Sequence, residues 1–190
     1  IVGVNEDDLQ SGMRIVSAGS CTSNALIPVI KVLDDAFGVD AGVVTTIHSA
    51  MNDQPVIDAY HHTDLRKTRS AFSSVIPVDT ELAAGVDRLL PHLSGRFSAR
   101  AMRVPTVNVS ALDLSVMLQS DVDLDGVNQA LLDATQTLSP IFDVSDEPLA
   151  SCDFLRHPAS CVVDLTQTQI SGNRLLKVLI WFDNEWAFVN

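Results

Sequence analysis

SCTSNALIPVIKVLDDAFGVDAGVVTTIHSA, residues 20–50, changes its hydrophobic period once, at Gly38. From Thr22 the apolar residues Leu26, Ile30, Leu33 and Phe37 recur at helical spacing, and Gly38 lies just beyond, where glycines commonly close helices. Ahead of that run, Ser20, Thr22, Ser23 and Asn24 are short polar residues suited to capping a helix start. Pro28 complicates the helix, because it removes one backbone bond unless it falls in the first turn or at a kink. AGVVTTIHSA (41–50) is rich in β-branched residues and predicts a buried strand with His48 near its C-terminal end. A helix running back from Cys21 and a strand returning beside it would bring the strand's end near the helix's start.

Outward from this unit, MRIVS (13–17) is a short buried strand candidate broken by Gly19. Residues 51–80 form a long irregular stretch with Pro55, Pro77 and the basic cluster Arg66, Lys67 and Arg69. A structureless segment of that length is uncommon inside a compact domain and is usually functional or packed on a partner. TELAAGVDRLL (80–90) reads as helix, RFSARAMRVPT (96–106) and NVSALDLSVMLQ (108–119) as β-rich runs, and DLDGVNQALLDATQ (123–136) as an amphipathic helix opened by Asp123. Strands near SCVVDLTQTQI (160–170) and NRLLKVLIWFD (173–183) follow, joined by Ser171-Gly172. Strands in hairpin-like succession with irregularly interleaved helices predict an α+β fold with a mixed, largely antiparallel sheet.

The 190 residues suit one domain with a continuous core. No apolar run reaches the ~18–20 residues of a membrane span, and IVGVNEDDLQ lacks the layout of a signal peptide. A net charge of −12 argues against nucleic acid or an anionic membrane as partner. Three cysteines in a chain this long make no disulfide framework, which points to a reducing, cytoplasmic setting. GxGxxG and Walker patterns are absent, so no dinucleotide-binding unit is visible in these residues.

The chemistry candidates centre on Cys21. A thiol at a helix N-terminus sits near unpaired N–H groups that favour the thiolate and could hold an oxyanion. It also needs a base, for which His48 is the best placed. The competing reading is a small buried hydrophobe, the usual fate of an unpaired cysteine. Cys152, His157 and Cys161 match no common zinc spacing, and no metal is expected. Arg103 interrupts a β-rich run, either as an edge residue or as a planar fork for phosphate.

SCTSN (20–24), HSAMNDQ (48–54), DLRKTR (64–69), AMRVPTVNVSALDL (101–114) and WFDNEWAF (181–188) occur in order over essentially the whole chain. In these motifs the sequence resembles the catalytic domain of the glyceraldehyde-3-phosphate dehydrogenase superfamily. The resemblance implies helices packed on one face of the sheet, Cys21 as nucleophile and His48 as its base. It further implies Arg103 on the substrate phosphate, Ser20, Thr22 and Thr80 at a second anion site with Arg69 a weaker candidate there, and Asn184 orienting the nicotinamide of NAD. The backbone N–H of Cys21, with His48, would stabilise the oxyanion.

HSAMND and NEWAF, where the glycolytic members usually read HSYTND and NETGY, point to the branch that oxidises erythrose 4-phosphate and feeds pyridoxal-phosphate synthesis. Met51 replaces a hydroxyl that contacts the substrate phosphate, and Glu81 replaces a glycine beside the second anion site; repulsion there would favour water over phosphate as acyl acceptor. Ala25 stands where many relatives have a second cysteine. The alternatives are a phosphorylating glyceraldehyde-3-phosphate dehydrogenase and a non-catalytic assembly module. By the same resemblance, residues 1–190 form the catalytic domain. The N-terminal Rossmann NAD-binding domain and the C-terminal helix of the family are not in the sequence. The chain by itself is expected to bind NAD poorly and to be inactive, the full-length protein to be a homotetramer.

Overall fold

Seven strands hydrogen-bond into one sheet in the order β2-β3-β1-β4-β7-β6-β5, in a computed structural model that describes residues 1–190. In chain order the elements are α1 (Cys21–Phe37), β1 (Val39–His48), β2 (Ile76–Val78), α2 (Leu82–Leu89), β3 (Phe97–Arg103), β4 (Ser110–Leu118), α3 (Leu124–Thr137), β5 (Phe142–Ser145), β6 (Cys161–Ser171), β7 (Leu175–Phe182) and α4 (Trp186–Val189). β1–β3 and β5–β6 pair in parallel, and the other four pairings are antiparallel. The fold is α+β with a mixed, mostly antiparallel sheet, as the sequence predicts.

The opening stretch folds as its period dictates. Ser20 is extended at the N-cap of α1 and its Oγ accepts from Ser23 N–H at 3.0 Å. At the far end Gly38 has φ +69°, a left-handed conformation favoured by glycine, and its N–H closes on the Asp34 carbonyl at 2.9 Å. The helix passes through Pro28, which has no N–H to offer Asn24 four residues back. Leu26, Ile30 and Leu33 are fully buried, and so are Ala25, Ile27 and Val29. A helix apolar on nearly every side must be covered on nearly every side. Here α1 lies on the sheet with α2 and α3 beside it.

The core forms between these helices and one sheet face. Leu112, Leu114, Val116 and Leu118 of β4 alternate inward beside Leu176, Val178, Ile180 and Phe182 of β7. Burying such side chains contributes roughly 1.5–3 kcal/mol each before chain entropy opposes it. The opposite face is partly bare, with Val43, Met117 and Leu175 exposed. At one end of that face Val109, Phe154, Ala159 and Val162 form a small second cluster, Phe154 stacking on Trp181 at 5.5 Å.

Two local expectations change, and two short elements go unpredicted. MRIVS (13–17) is not a strand: the segment is exposed, Ile15 at 91%, and pairs with no other strand of the chain. A β-rich sequence needs a neighbour for its backbone groups, and these residues have none here. The irregular stretch 51–80 contributes the short edge strand β2, which pairs with β3. β5 and α4, four residues each, are too short to show a period. No helix is long and apolar enough to cross a membrane.

Candidate active site

Five element ends converge at one end of the sheet's strands. Cys21 opens α1, His48 ends β1, Arg103 ends β3, Ser110 begins β4 and Phe182 ends β7 just before Asn184. Register holds them together: His48 faces Arg103 across β1–β3, and Ser110 faces Phe182 across β4–β7. The Val104 N–H donates to the His48 carbonyl at 2.9 Å and ties the two strand exits.

Cys21 is half-buried, and its Sγ lies 3.8 Å from Nε2 of the buried His48. Nδ1 of the same ring lies 2.9 Å from the Ser49 carbonyl. A carbonyl only accepts, so Nδ1 carries the proton and Nε2 turns its lone pair toward the thiol. The ring also meets Phe182 edge-on at 6.2 Å, which restricts its rotation. Burial pushes the Cys21 thiol up, against the pull of the Thr22 and Cys21 backbone N–H groups and of the Arg103 charge. The helix terminus therefore acts in the direction the sequence predicts, but burial outweighs it. Burial pushes the His48 imidazole down, and the Arg103 charge adds to this against the Ser49 carbonyl and Asp53. The thiol holds its proton 3.8 Å from an imidazole nitrogen that can accept it, an arrangement that would suit the thiol to act as a nucleophile.

Arg103 is largely buried on the strand beside His48, with Nη2 3.9 Å from Asp53 and Nε without any partner. A buried guanidinium with one loose carboxylate contact and an orphaned donor has spare capacity for an anion.

Asn184 is held from one side. Its Oδ1 accepts from Ser49 Oγ and Ser110 Oγ, each at 2.9 Å, while the Ser49 N–H donates to Ser110 Oγ at 3.0 Å. No hydrogen bond within the chain uses Nδ2 of Asn184, and that atom is not enclosed. The neighbouring Asp183 is buried and accepts from Asn108 Nδ2 and from the N–H groups of Arg156, Glu185 and Trp186.

The remaining expected residues divide. Ser20 Oγ lies 2.9 Å from both Thr22 Oγ1 and Ser23 Oγ, a hydroxyl cluster at the start of α1. The first turn of α2 packs on it: a Cβ added at Gly85 would lie 3.3 Å from Ser23 Oγ. Thr80 stands just ahead of that turn and accepts from the Leu82 N–H at 3.3 Å, with Glu81 exposed beside it. Arg69 is on the surface in an ion pair with Asp58 at 2.8 Å, and no contact joins it to the other site residues. Met51 is exposed. Cys152 is exposed and Cys161 fully buried, where burial pushes its thiol up; His157 pairs instead with Asp143 at 3.3 Å.

Ser49, Ser110, Asp53 and Asp183 are the residues that reading side-chain types missed. Each lies inside a quoted motif, but a serine or aspartate carries no chemical signal until its partner is known.

A family model described as "Glyceraldehyde 3-phosphate dehydrogenase, C-terminal domain" matches residues 20–184, a span that begins at Ser20 and ends at Asn184.

Proposed function

The chain belongs to the family of the glyceraldehyde 3-phosphate dehydrogenase C-terminal domain, and from that premise we propose that it carries the catalytic half of an enzyme oxidising D-erythrose 4-phosphate to 4-phosphoerythronate. The family is one of NAD-dependent aldehyde dehydrogenases. The observation that carries the reading is the Cys21 Sγ to His48 Nε2 approach, 3.8 Å, with the partly unpaired Arg103 on the adjoining strand end.

In this reading Cys21 Sγ attacks the aldehyde carbon while Nε2 of His48 takes the thiol proton. The Cys21 N–H, at the start of α1, stabilises the developing oxyanion. Nε2 then returns that proton to the oxyanion, which gives the thiohemiacetal hydroxyl, and takes it back as the hydroxyl-bearing carbon is oxidised to the thioacyl. Arg103 holds the substrate's phosphate in place of its loose contact with Asp53. NAD supplies the hydride acceptor when bound. The free Nδ2 of Asn184 fits it, since an outward donor suits the carbonyl oxygen of a nicotinamide carboxamide. The rest of the cofactor is assigned to a separate N-terminal dinucleotide-binding domain, and the full-length protein to a homotetramer.

Water is the proposed acyl acceptor. The hydroxyl cluster of Ser20, Thr22 and Ser23 with Thr80 resembles an anion site, but Glu81 places a carboxylate beside Thr80. Like charge opposes inorganic phosphate there. Met51 offers the substrate phosphate a thioether, at best a weak acceptor, in place of a donor.

Two assays on the full-length protein test this. kcat/KM should be higher for erythrose 4-phosphate than for glyceraldehyde 3-phosphate, and turnover should proceed without inorganic phosphate. A phosphate requirement with the reverse preference would make it a phosphorylating glyceraldehyde-3-phosphate dehydrogenase. No turnover of either aldehyde, with Cys21 unreactive toward iodoacetamide, would leave an assembly module.

A further inference from the structure

Asn184 is held by two hydroxyls, one just past the end of β1 and one at the start of β4. Ser49 follows the end of β1 and is fully buried; Ser110 begins β4 and is 1% exposed. Both donate to Asn184 Oδ1, and Ser110 Oγ is itself aimed by the Ser49 N–H. Both hydroxyls are buried and Oδ1 is their acceptor. The one alternative within the pair is the 3.5 Å contact from Ser110 Oγ to Ser49 Oγ. Turning the amide over would strand at least one hydroxyl proton, which favours the carbonyl inward and Nδ2 outward. The backbone supports the same arrangement at a cost. Val109 has φ +64°, a left-handed conformation that a β-branched residue adopts only when its surroundings force it. It lies between Asn108, whose Nδ2 donates to Asp183, and Ser110, so the strained turn joins the anchors of two successive residues, Asp183 and Asn184.

We propose that Ser49 and Ser110 are positioning residues that fix the orientation of the Asn184 amide, so that the site offers a hydrogen-bond donor and selects ligands presenting a carbonyl acceptor. The proposal rests on the reading of Asn184 as the contact for the nicotinamide ring substituent. On that reading the serines decide which half of a carboxamide is recognised: its C=O is bound by Nδ2, and its NH2 receives nothing from Asn184. A ring carrying an acetyl group, which keeps the C=O and replaces NH2 by methyl, should then bind almost as well as the carboxamide. Without the clamp the Asn184 amide can turn over, present Oδ1 to the carboxamide NH2, and begin to discriminate against the acetyl ring.

The test is equilibrium binding of NAD and of 3-acetylpyridine adenine dinucleotide to the full-length protein, by titration calorimetry. Wild type should bind the two within about threefold of each other, a single spare donor bond being common to both. Ser49→Ala and Ser110→Ala, singly, should each weaken NAD binding and shift the ratio of the two dissociation constants at least ~threefold toward NAD, about half the worth of one net hydrogen bond. The double variant should shift it further, and the single variants, each keeping one hydroxyl, decide the matter if the double does not fold. Serines with a merely structural role would weaken both ligands alike, and an unchanged ratio overturns the clamp. Asn184→Ala separates this from the underlying reading. If it leaves both affinities unchanged, Asn184 is no nicotinamide contact and the proposal falls with that reading. If it weakens them while the serine variants bind both ligands as wild type does, only the clamp falls.

Discussion

His48 and Arg103 are register partners at the last positions of β1 and β3, so a base and a guanidinium leave the sheet side by side on one face. The pairing is parallel, which puts both strand exits at the same end of the sheet, by the start of α1. Cys21 there lies within 3.8 Å of His48. Sheet topology, more than any single side chain, therefore brings Cys21, His48 and Arg103 together.

Replacing Arg103 tests its role in two independent ways. Arg103→Gln should raise KM for a phosphorylated aldehyde about 10–100-fold, the range of a lost charge-assisted hydrogen bond, with a much smaller change in kcat. An unphosphorylated aldehyde should be little affected. The Arg103 charge also pushes the His48 imidazole down, so its removal should move the acid limb of kcat/KM to higher pH. Equal losses for both aldehydes would show that Arg103 serves the fold rather than the phosphate.

The pH profile of the wild type follows from the state of His48. Burial holds its imidazole below the ordinary value, so the neutral base persists to lower pH than a solvated histidine would. Activity should fall with acid through a midpoint below about 6.5. His48→Asn should lower kcat by about 10²–10⁴-fold. In that variant burial still pushes the Cys21 thiol up with no base to take its proton, so alkylation by iodoacetamide should require more alkaline solution than in wild type. Equal alkylation profiles would dissociate His48 from Cys21.

Much of this site is legible in the order of residues. The helix from Cys21 and the strand to His48 both have long, clean periods, and a helix followed by a returning strand places their near ends together. Arg103 stands out as a charge in a β-rich run. What stays hidden is pairwise: Ser49 and Ser110 are 61 residues apart and Ser49 and Asn184 are 135 apart, brought together by sheet order alone. The MRIVS segment fails for the converse reason, since a strand-like composition forms no ladder without a partner. Burial of Cys21 is likewise a tertiary property, and it reverses the sign that the helix start alone suggests.

Gly42 tests the sheet beneath the site. It faces Phe97 across the parallel β1–β3 pair, and an added Cβ would lie 2.3 Å from the ring's Cε1 and 2.8 Å from Cδ1. Phe97 is part of the buried core and cannot swing aside without opening it. Gly42→Ala should therefore destabilise by about 1–3 kcal/mol, read as a lower denaturant midpoint. Pairing it with Phe97→Leu should recover part of the loss, and a neutral single variant would show that the ring yields freely.

Acid stability should depend on Asp183. Burial pushes this carboxyl up, but the N–H groups of Arg156 and Trp186, the Asn108 amide and the Glu185 N–H outweigh it and hold the group below its usual range. A carboxyl depressed in the folded state contributes stability that is fully present above the unfolded value, about 3.9, and is lost as pH falls through the folded value. Asp183→Asn keeps the size but replaces an oxygen acceptor by a donor facing N–H groups. It should cost about 1–3 kcal/mol or more at neutral pH, the penalty for a buried donor left unpaired. Below about pH 4 wild type should lose stability more steeply than the variant, which has no charge there to lose. Denaturant unfolding at pH 7 and near pH 3 gives both quantities, and a gap between the two proteins that does not narrow with acid would show that the Asp183 charge plays no part. Because Asp183 directly precedes Asn184, the same acid step should also loosen the turn that carries the amide, so NAD affinity should fall over that interval before the chain unfolds.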